Sequence, residues 1–201
     1  MPRGEVTYRV HRRWERWIDP SPAALVPIAL ILAAKLGDDL TVEGPLDPEV
    51  AAAAAAAIEL QCRWWGWRVP ALHAPENRPP RRRGRARGLF FTRGIDSWGA
   101  LLGERTGPRR NRPTHLIALD CDEHLDEDLR AHLLDGTRAA AAGEGLPLIE
   151  VRTDVRRLMD PHLQWGFEAH GAALAGTGYL LGRGLRRIGI ASTNWWPDAT
   201  P

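Results

Sequence analysis

The chain has 201 residues, of which 44% are apolar, and a formal net charge of +2. That composition allows one domain or two small ones with a sizeable core, and it excludes an overall field strong enough to select nucleic acid or an acidic partner. The two cysteines, Cys62 and Cys121, stand in unrelated contexts outside any CxxC or Cys/His cluster, so two reduced thiols in a cytoplasmic protein are expected.

The N-terminal MPRGEVTYRV has no apolar stretch of the kind a signal peptide needs. Residues 5–10 read as a strand. Asp19 or Ser21 can cap a helix that runs to Leu36 and stops at Gly37. Its apolar run, Ala23 to Ala34, is broken by Pro27 and ends at Lys35, too short to span a bilayer. Residues 40–43 read as a strand. Asp47-Pro48-Glu49 opens a second helix, and the alanine run from Ala51 to Ala57 carries it to about Trp65. Residues 68–72 close this small α+β region, placed at 1–74, as an edge strand.

Residues 75–87, PENRPPRRRGRAR, combine proline with like charges and read as a linker. Its arginines, Arg81, Arg82, Arg83, Arg85 and Arg87, leave two roles open: a solvated connection or a grip on RNA phosphates.

From Gly88 to the end of the chain, strand and helix signals alternate. Apolar runs at 88–92, 114–119, 146–151 and 187–191 predict strands. Helical signals lie at 96–103, from Leu125 onward, and at 161–181. Near-continuous apolar strands separated by helices predict an α/β domain with a parallel sheet flanked by helices on both faces.

Such sheets bind ligands at the C-terminal ends of their strands. The first of these strands runs into Thr92-Arg93-Gly94-Ile95-Asp96-Ser97. Gly94 lets the backbone turn its N–H groups toward a phosphate, and a helix N-terminus follows. The Ser97 hydroxyl can donate to a phosphate oxygen, and Asp96 can hold Mg²⁺ or fix the loop.

At these residues the chain resembles the PP-loop ATP pyrophosphatase superfamily, which has the HUP fold and includes asparagine synthetase, GMP synthetase, 7-cyano-7-deazaguanine synthase and tRNA-thiolating enzymes. Its motif is Ser-Gly-Gly-x-Asp-Ser after an apolar strand. Gly94, Asp96 and Ser97 match it, Ile95 fills the free position, Thr92 keeps a hydroxyl, and Arg93 replaces the first glycine. The wider pattern is similar to a set of uncharacterised actinobacterial proteins. Phe90-Phe91 through Leu102, Thr114-His115-Leu116, Leu146 to Asp154, Trp165-Gly166, His170 to Leu174 and Ile190 to Asn194 carry that likeness. Those proteins usually continue past the closing strand, so a C-terminal part of the site is expected to be missing here.

The resemblance implies a HUP-type sheet with the strand from Gly88 in a central position. It implies ATP across the strand ends, its phosphates on residues 92–97 and its adenine near Leu119 and Asp120. Asp96 and Ser97 would serve the chemistry, with Asp96 on Mg²⁺. A carbonyl or carboxylate of a small molecule would attack the α-phosphate, forming an adenylate and releasing pyrophosphate, and an amine or sulfur nucleophile would then displace AMP.

Other residues admit more than one role. His170 can face the nucleotide or pack as a core histidine. Asp120, Asp122, Glu123 and His124 can bind Mg²⁺ or form a solvated turn and helix cap. Ser192, Thr193 and Asn194 follow the last strand, where a substrate contact fits. Trp195 and Trp196 can stack on a base or simply pack. Besides the ATP-dependent adenylating enzyme, two readings stay open: a nucleotide-binding partner or regulatory subunit without turnover, and a tRNA-modifying enzyme. No membrane partner is expected.

Overall fold

In the computed structural model, residues 4–75, 84–122 and 125–191 are described. A five-stranded sheet holds β1 (Tyr8–Val10), β4 (Ala86–Phe90), β5 (His115–Asp120), β6 (Leu148–Thr153) and β7 (Leu185–Gly189) in the order β1-β6-β5-β4-β7. β4, β5, β6 and β7 are parallel, so the expected parallel arrangement holds for these strands. β1 is antiparallel to β6, with Tyr8 opposite Thr153 and Val10 opposite Val151. The sheet is therefore mixed, which corrects the all-parallel expectation. The N-terminal segment adds a strand to the β6 edge and takes up hydrogen-bonding groups that would otherwise lie open. The strand from Gly88 lies between β5 and β7, inside the sheet and one position from its β7 edge.

Alternation along the strands builds two cores. Leu89, Phe91, Leu116, Ala118 and Leu148 meet Leu101 of α3 (Ile95–Thr106) and Ala141 of α4 (Glu127–Gly143) on one face. Phe90, Ile117, Ile149 and Val151 pack on the other face with Leu180, Leu181 and Ala24. Residues one apart point to opposite faces, so both faces must be apolar and covered.

A third core joins the N-terminal zone to the rest. α1 (Val26–Leu36) buries residues around most of its circumference, including Ile28, Leu30, Ile31 and Leu32. It packs with Val50 and Ile58 of α2 (Pro48–Trp65) and with Ala172 and Ala173 of α6 (His170–Leu180). Val155 and Met159 of the short α5 (Val155–Met159), absent from the sequence reading, join the same core. The small strands β2 (Leu40–Thr41) and β3 (Leu72–His73) pair in parallel. The helix boundaries follow their capping residues. Asp47 accepts from the Glu49 N–H at 2.9 Å, and Gly37 and Gly66 end α1 and α2 in left-handed conformations.

The helix expected over 161–181 is shorter. His162 and Leu163 donate to the Met159 carbonyl at 3.0 and 2.9 Å, which ties them to the turn after α5. Gln164 is extended, and a π-helical turn, Trp165–Ala169, precedes α6. The Gln164 carbonyl accepts from Phe167, Glu168 and Ala169 at 3.3, 2.8 and 3.3 Å. Glu168 holds the turn in place. It accepts from the Gln164 N–H at 2.9 Å and pairs with Lys35 of α1 at 2.9 Å.

Candidate functional site

β4 ends beside the loop that carries the motif. The Phe91 N–H still reaches the Ile117 carbonyl at 2.9 Å, and the Phe91 ring meets Trp98 of α3 edge-on at 5.0 Å, so strand end and helix start are held together. Inside the loop, the Thr92 N–H donates to Ser97 Oγ at 3.4 Å, and the Ser97 hydroxyl donates to the Gly94 carbonyl at 2.8 Å. The Gly94 N–H lies 3.4 Å from Thr92 Oγ1. Ser97 is only 3% exposed and fixes the loop's shape, whereas Ile95 is 85% exposed. Asp96 is exposed in the first turn of α3. No side chain caps α3, so its leading N–H groups remain available to an anion.

Arg93 has φ +64°, the only non-glycine residue with positive φ among the described residues. A side chain in that region costs about 1–2 kcal/mol, a cost glycine avoids. The backbone at Arg93 thus adopts a conformation that glycine takes up more readily. The Arg93 side chain is directed to α4. A Cβ placed on Gly136 would stand 2.4 Å from Arg93 Nη1 and 2.7 Å from Cζ, and Arg93 Nε is buried with no hydrogen-bond partner.

Thr92, Gly94, Asp96, Ser97, Leu119 and His170 all line one cavity of about 280 Å³ at the C-terminal ends of β4 and β5. His170, at the start of α6, is exposed rather than packed in the core. A neighbouring cavity of about 250 Å³ shares Phe91, Thr92, Leu119, Cys121 and Trp165 with the first and is lined also by Arg93 and Asp120. Leu119 therefore faces both spaces, while Asp120 faces the second.

The Asp120 carboxylate is taken up by Arg130 of α4, whose side chain is 6% exposed against 12% for Asp120. Arg130 also donates to the carbonyls of Asp122 and Leu125 at 2.7 and 3.2 Å. Burial is the largest single influence on the Arg130 pKa and lowers it, but the bond to Asp120 and the charges of Asp120, Glu127 and Asp122 together outweigh it, so the net direction is upward. This pair braces the turn after β5, so the helix-side role for Asp120 is realised through an ion pair rather than a cap.

Cys121, Trp165 and Leu174 line the main cavity too, although the sequence reading gave none of them a role in the site. Cys121 had a signal, its place directly after the β5 strand end, where ligands gather. Burial pushes its thiol up to about 12, so it is neutral at pH 7 and supplies no thiolate nucleophile. Ser192, Thr193, Asn194, Trp195, Trp196, Glu123, His124 and the arginines at 81–83 lie outside the described residues. Among the described residues, no group of three or more His, Cys, Asp or Glu side chains can hold a metal ion, and Asp96 is the one carboxylate lining the main cavity. A single carboxylate suits Mg²⁺ only when substrate phosphates supply further oxygens. No described helix is long and apolar enough to cross a membrane.

The fold and this site define an α/β protein with a mixed sheet and a cavity at its strand ends. Comparison of the chain with protein-family models, curated proteins and solved structures gives no match.

Proposed function

We propose that the chain binds ATP in the HUP manner and acts as an adenylating enzyme of the ATP pyrophosphatase type, activating a carboxyl or carbonyl group for amide or thio transfer. One observation carries this reading. Six residues named from the sequence, four in the motif, Leu119 in β5 and His170 at the start of α6, line a single cavity at the C-terminal edge of a parallel sheet segment, where α/β sheets bind their ligands. The phosphates lie over the N-terminus of α3, where unsatisfied N–H groups and the helix dipole favour negative charge. Asp96, together with phosphate oxygens, would hold Mg²⁺, which would supply positive charge against the phosphates. Ser97 keeps the loop in shape, and the adenine lies against Leu119 and the aromatic wall at Trp165. His170 is placed at the rim to contact the nucleotide or the leaving pyrophosphate.

The test is pyrophosphate and AMP release from ATP and Mg²⁺ by the purified chain, alone and with pooled carboxylates and amines. ATP that neither binds nor turns over ends the proposal. A second reading, a nucleotide-binding partner subunit without turnover, draws support from Arg93, which stands where the motif has glycine and lodges its side chain beside the site. Binding without any pyrophosphate release selects that reading.

A further inference from the structure

A third cavity, of about 270 Å³, opens at the C-terminal ends of β5 and β6 and shares Cys121 with the main cavity. Its charged lining consists of Arg9, Arg130, Arg152, Arg157, Asp122 and Asp154. The acidic groups are already engaged. Asp154 accepts from the Thr7 N–H at 2.7 Å, and Asp122 pairs with Arg156 at 3.4 Å. Arg130 is committed to Asp120. Arg152 lies 3.7 Å from Asp120 and 3.5 Å from Glu127, beyond good hydrogen-bonding length. Arg9 makes no ion pair among the described residues.

The β1–β6 register adds an independent observation. Arg9 stands directly opposite Arg152 in the antiparallel ladder. Residues so paired share a face, with Cβ atoms about 5 Å apart, and like charges there destabilise the sheet. Asp120, opposite Arg152 on β5, and Glu127 reach Arg152 only at 3.7 and 3.5 Å, and among the described residues no carboxylate pairs with Arg9, so a ligand at the cavity rim can supply counter-charge to this like-charged pair. We propose that this cavity binds the anionic group of a small molecule, a carboxylate or a phosphate, between Arg9 and Arg152. Its position across Cys121 from the nucleotide cavity makes the anion part of the acceptor substrate. That assignment to the acceptor rests on the ATP reading, whereas the anion site itself does not.

The experiment titrates the full chain with inorganic phosphate and, separately, with succinate, by calorimetry. The proteins are the wild type, Arg9→Gln/Arg152→Gln and Ser97→Ala, each also titrated with ATP and Mg²⁺. At least one probe is expected to bind the wild type, with affinity about tenfold or more lower in the double variant, the scale of a lost charge-assisted bond. ATP affinity is expected to stay unchanged in that variant. The probe that binds more tightly names the anion's class. In ligand-free protein, Arg9→Gln is expected to raise the melting temperature, because it removes the repulsion. Absence of binding by both probes, equal binding by the double variant, or phosphate affinity that follows Ser97→Ala instead overturns the site. Arg9-dependent anion binding in a protein that binds no ATP upholds the anion site and overturns the acceptor assignment.

Discussion

Arg93 and Gly136 fit one another: a methyl group on Gly136 of α4 would stand 2.4 Å from the Arg93 guanidinium that lies against it. One residue carries a long side chain on a left-handed backbone, and the other has none at the point where that side chain ends. The loop over residues 92–97 is thereby coupled to α4.

The pair can be separated by two substitutions. Gly136→Ala gives the helix a better former, worth up to about 1 kcal/mol, while evicting only the far end of a flexible side chain. The melting temperature is expected to hold or rise, and the freed guanidinium to strengthen ATP binding. Arg93→Gly relieves the positive φ and an unpaired buried Nε, so stability is expected to hold or rise by about 1 kcal/mol while ATP affinity falls. Calorimetry and thermal melts on both variants measure this. If Arg93→Gly instead starts or strongly raises pyrophosphate release, Arg93 obstructs the site and the partner-subunit reading is the better one.

Asp96 and Ser97 are adjacent but have different surroundings, and their alanine variants should differ accordingly. Asp96 is exposed, so Asp96→Ala is expected to lower Mg²⁺-dependent ATP affinity roughly tenfold or more with little change in stability. Ser97 is buried and bonded to Gly94, so Ser97→Ala is expected to weaken ATP binding and also cost about 1–2 kcal/mol. Unchanged ATP affinity in both variants removes the phosphate assignment from this loop.

Arg130 and Asp120 form a nearly buried ion pair behind the site. Arg130→Ala leaves the Asp120 carboxylate without its main partner, and a loss of about 3–5 kcal/mol is expected in urea unfolding. Replacing both partners, Asp120→Asn with Arg130→Met, should cost clearly less, because no buried charge is then left alone. Equal losses in the two variants would show that the pair does not act as a unit.

Alkaline pH should destabilise the fold through two acids. Burial raises the Cys121 thiol from 9.0 to about 12 and the Tyr8 phenol from 10.0 to about 12. In both, the native state keeps the proton longer than the unfolded chain does. The stability they contribute is complete below the unfolded values and is lost as pH climbs from about 9 toward 12, at up to ~1.4 kcal/mol per pH unit for each group. Urea midpoints measured from pH 8 to 11 should fall, and Cys121→Ser should flatten the first part of the decline. Cys121 should also resist alkylation at pH 8 in the folded protein. A level stability profile to pH 11 would contradict the buried placement of both groups.

Much of the fold could be read from residue order. The apolar runs that end at Phe91, Leu119 and Val151 mark three parallel strands, because strands buried on both faces need little polar alternation. Asp47 and Gly37 mark helix ends, because capping is satisfied within a few residues of chain. The strand end, turn and helix start around residues 92–97 were legible for the same local reason: they follow one another without a gap.

What the sequence by itself determined was thus the local segments and the chemistry they carry. Tertiary structure alone decided how distant segments meet. It set β1 antiparallel on β6 and so placed Arg9 opposite Arg152, brought His170 to the rim at Leu119, buried Ser97, and sent Arg93 to Gly136. It also broke the long helix expected at 161–181, because Glu168 is anchored both to Gln164 and to Lys35 of α1. Capping and alternation depend on neighbours a few residues away, whereas each of these pairings depends on edges, cores and charges contributed by residues far apart in the chain.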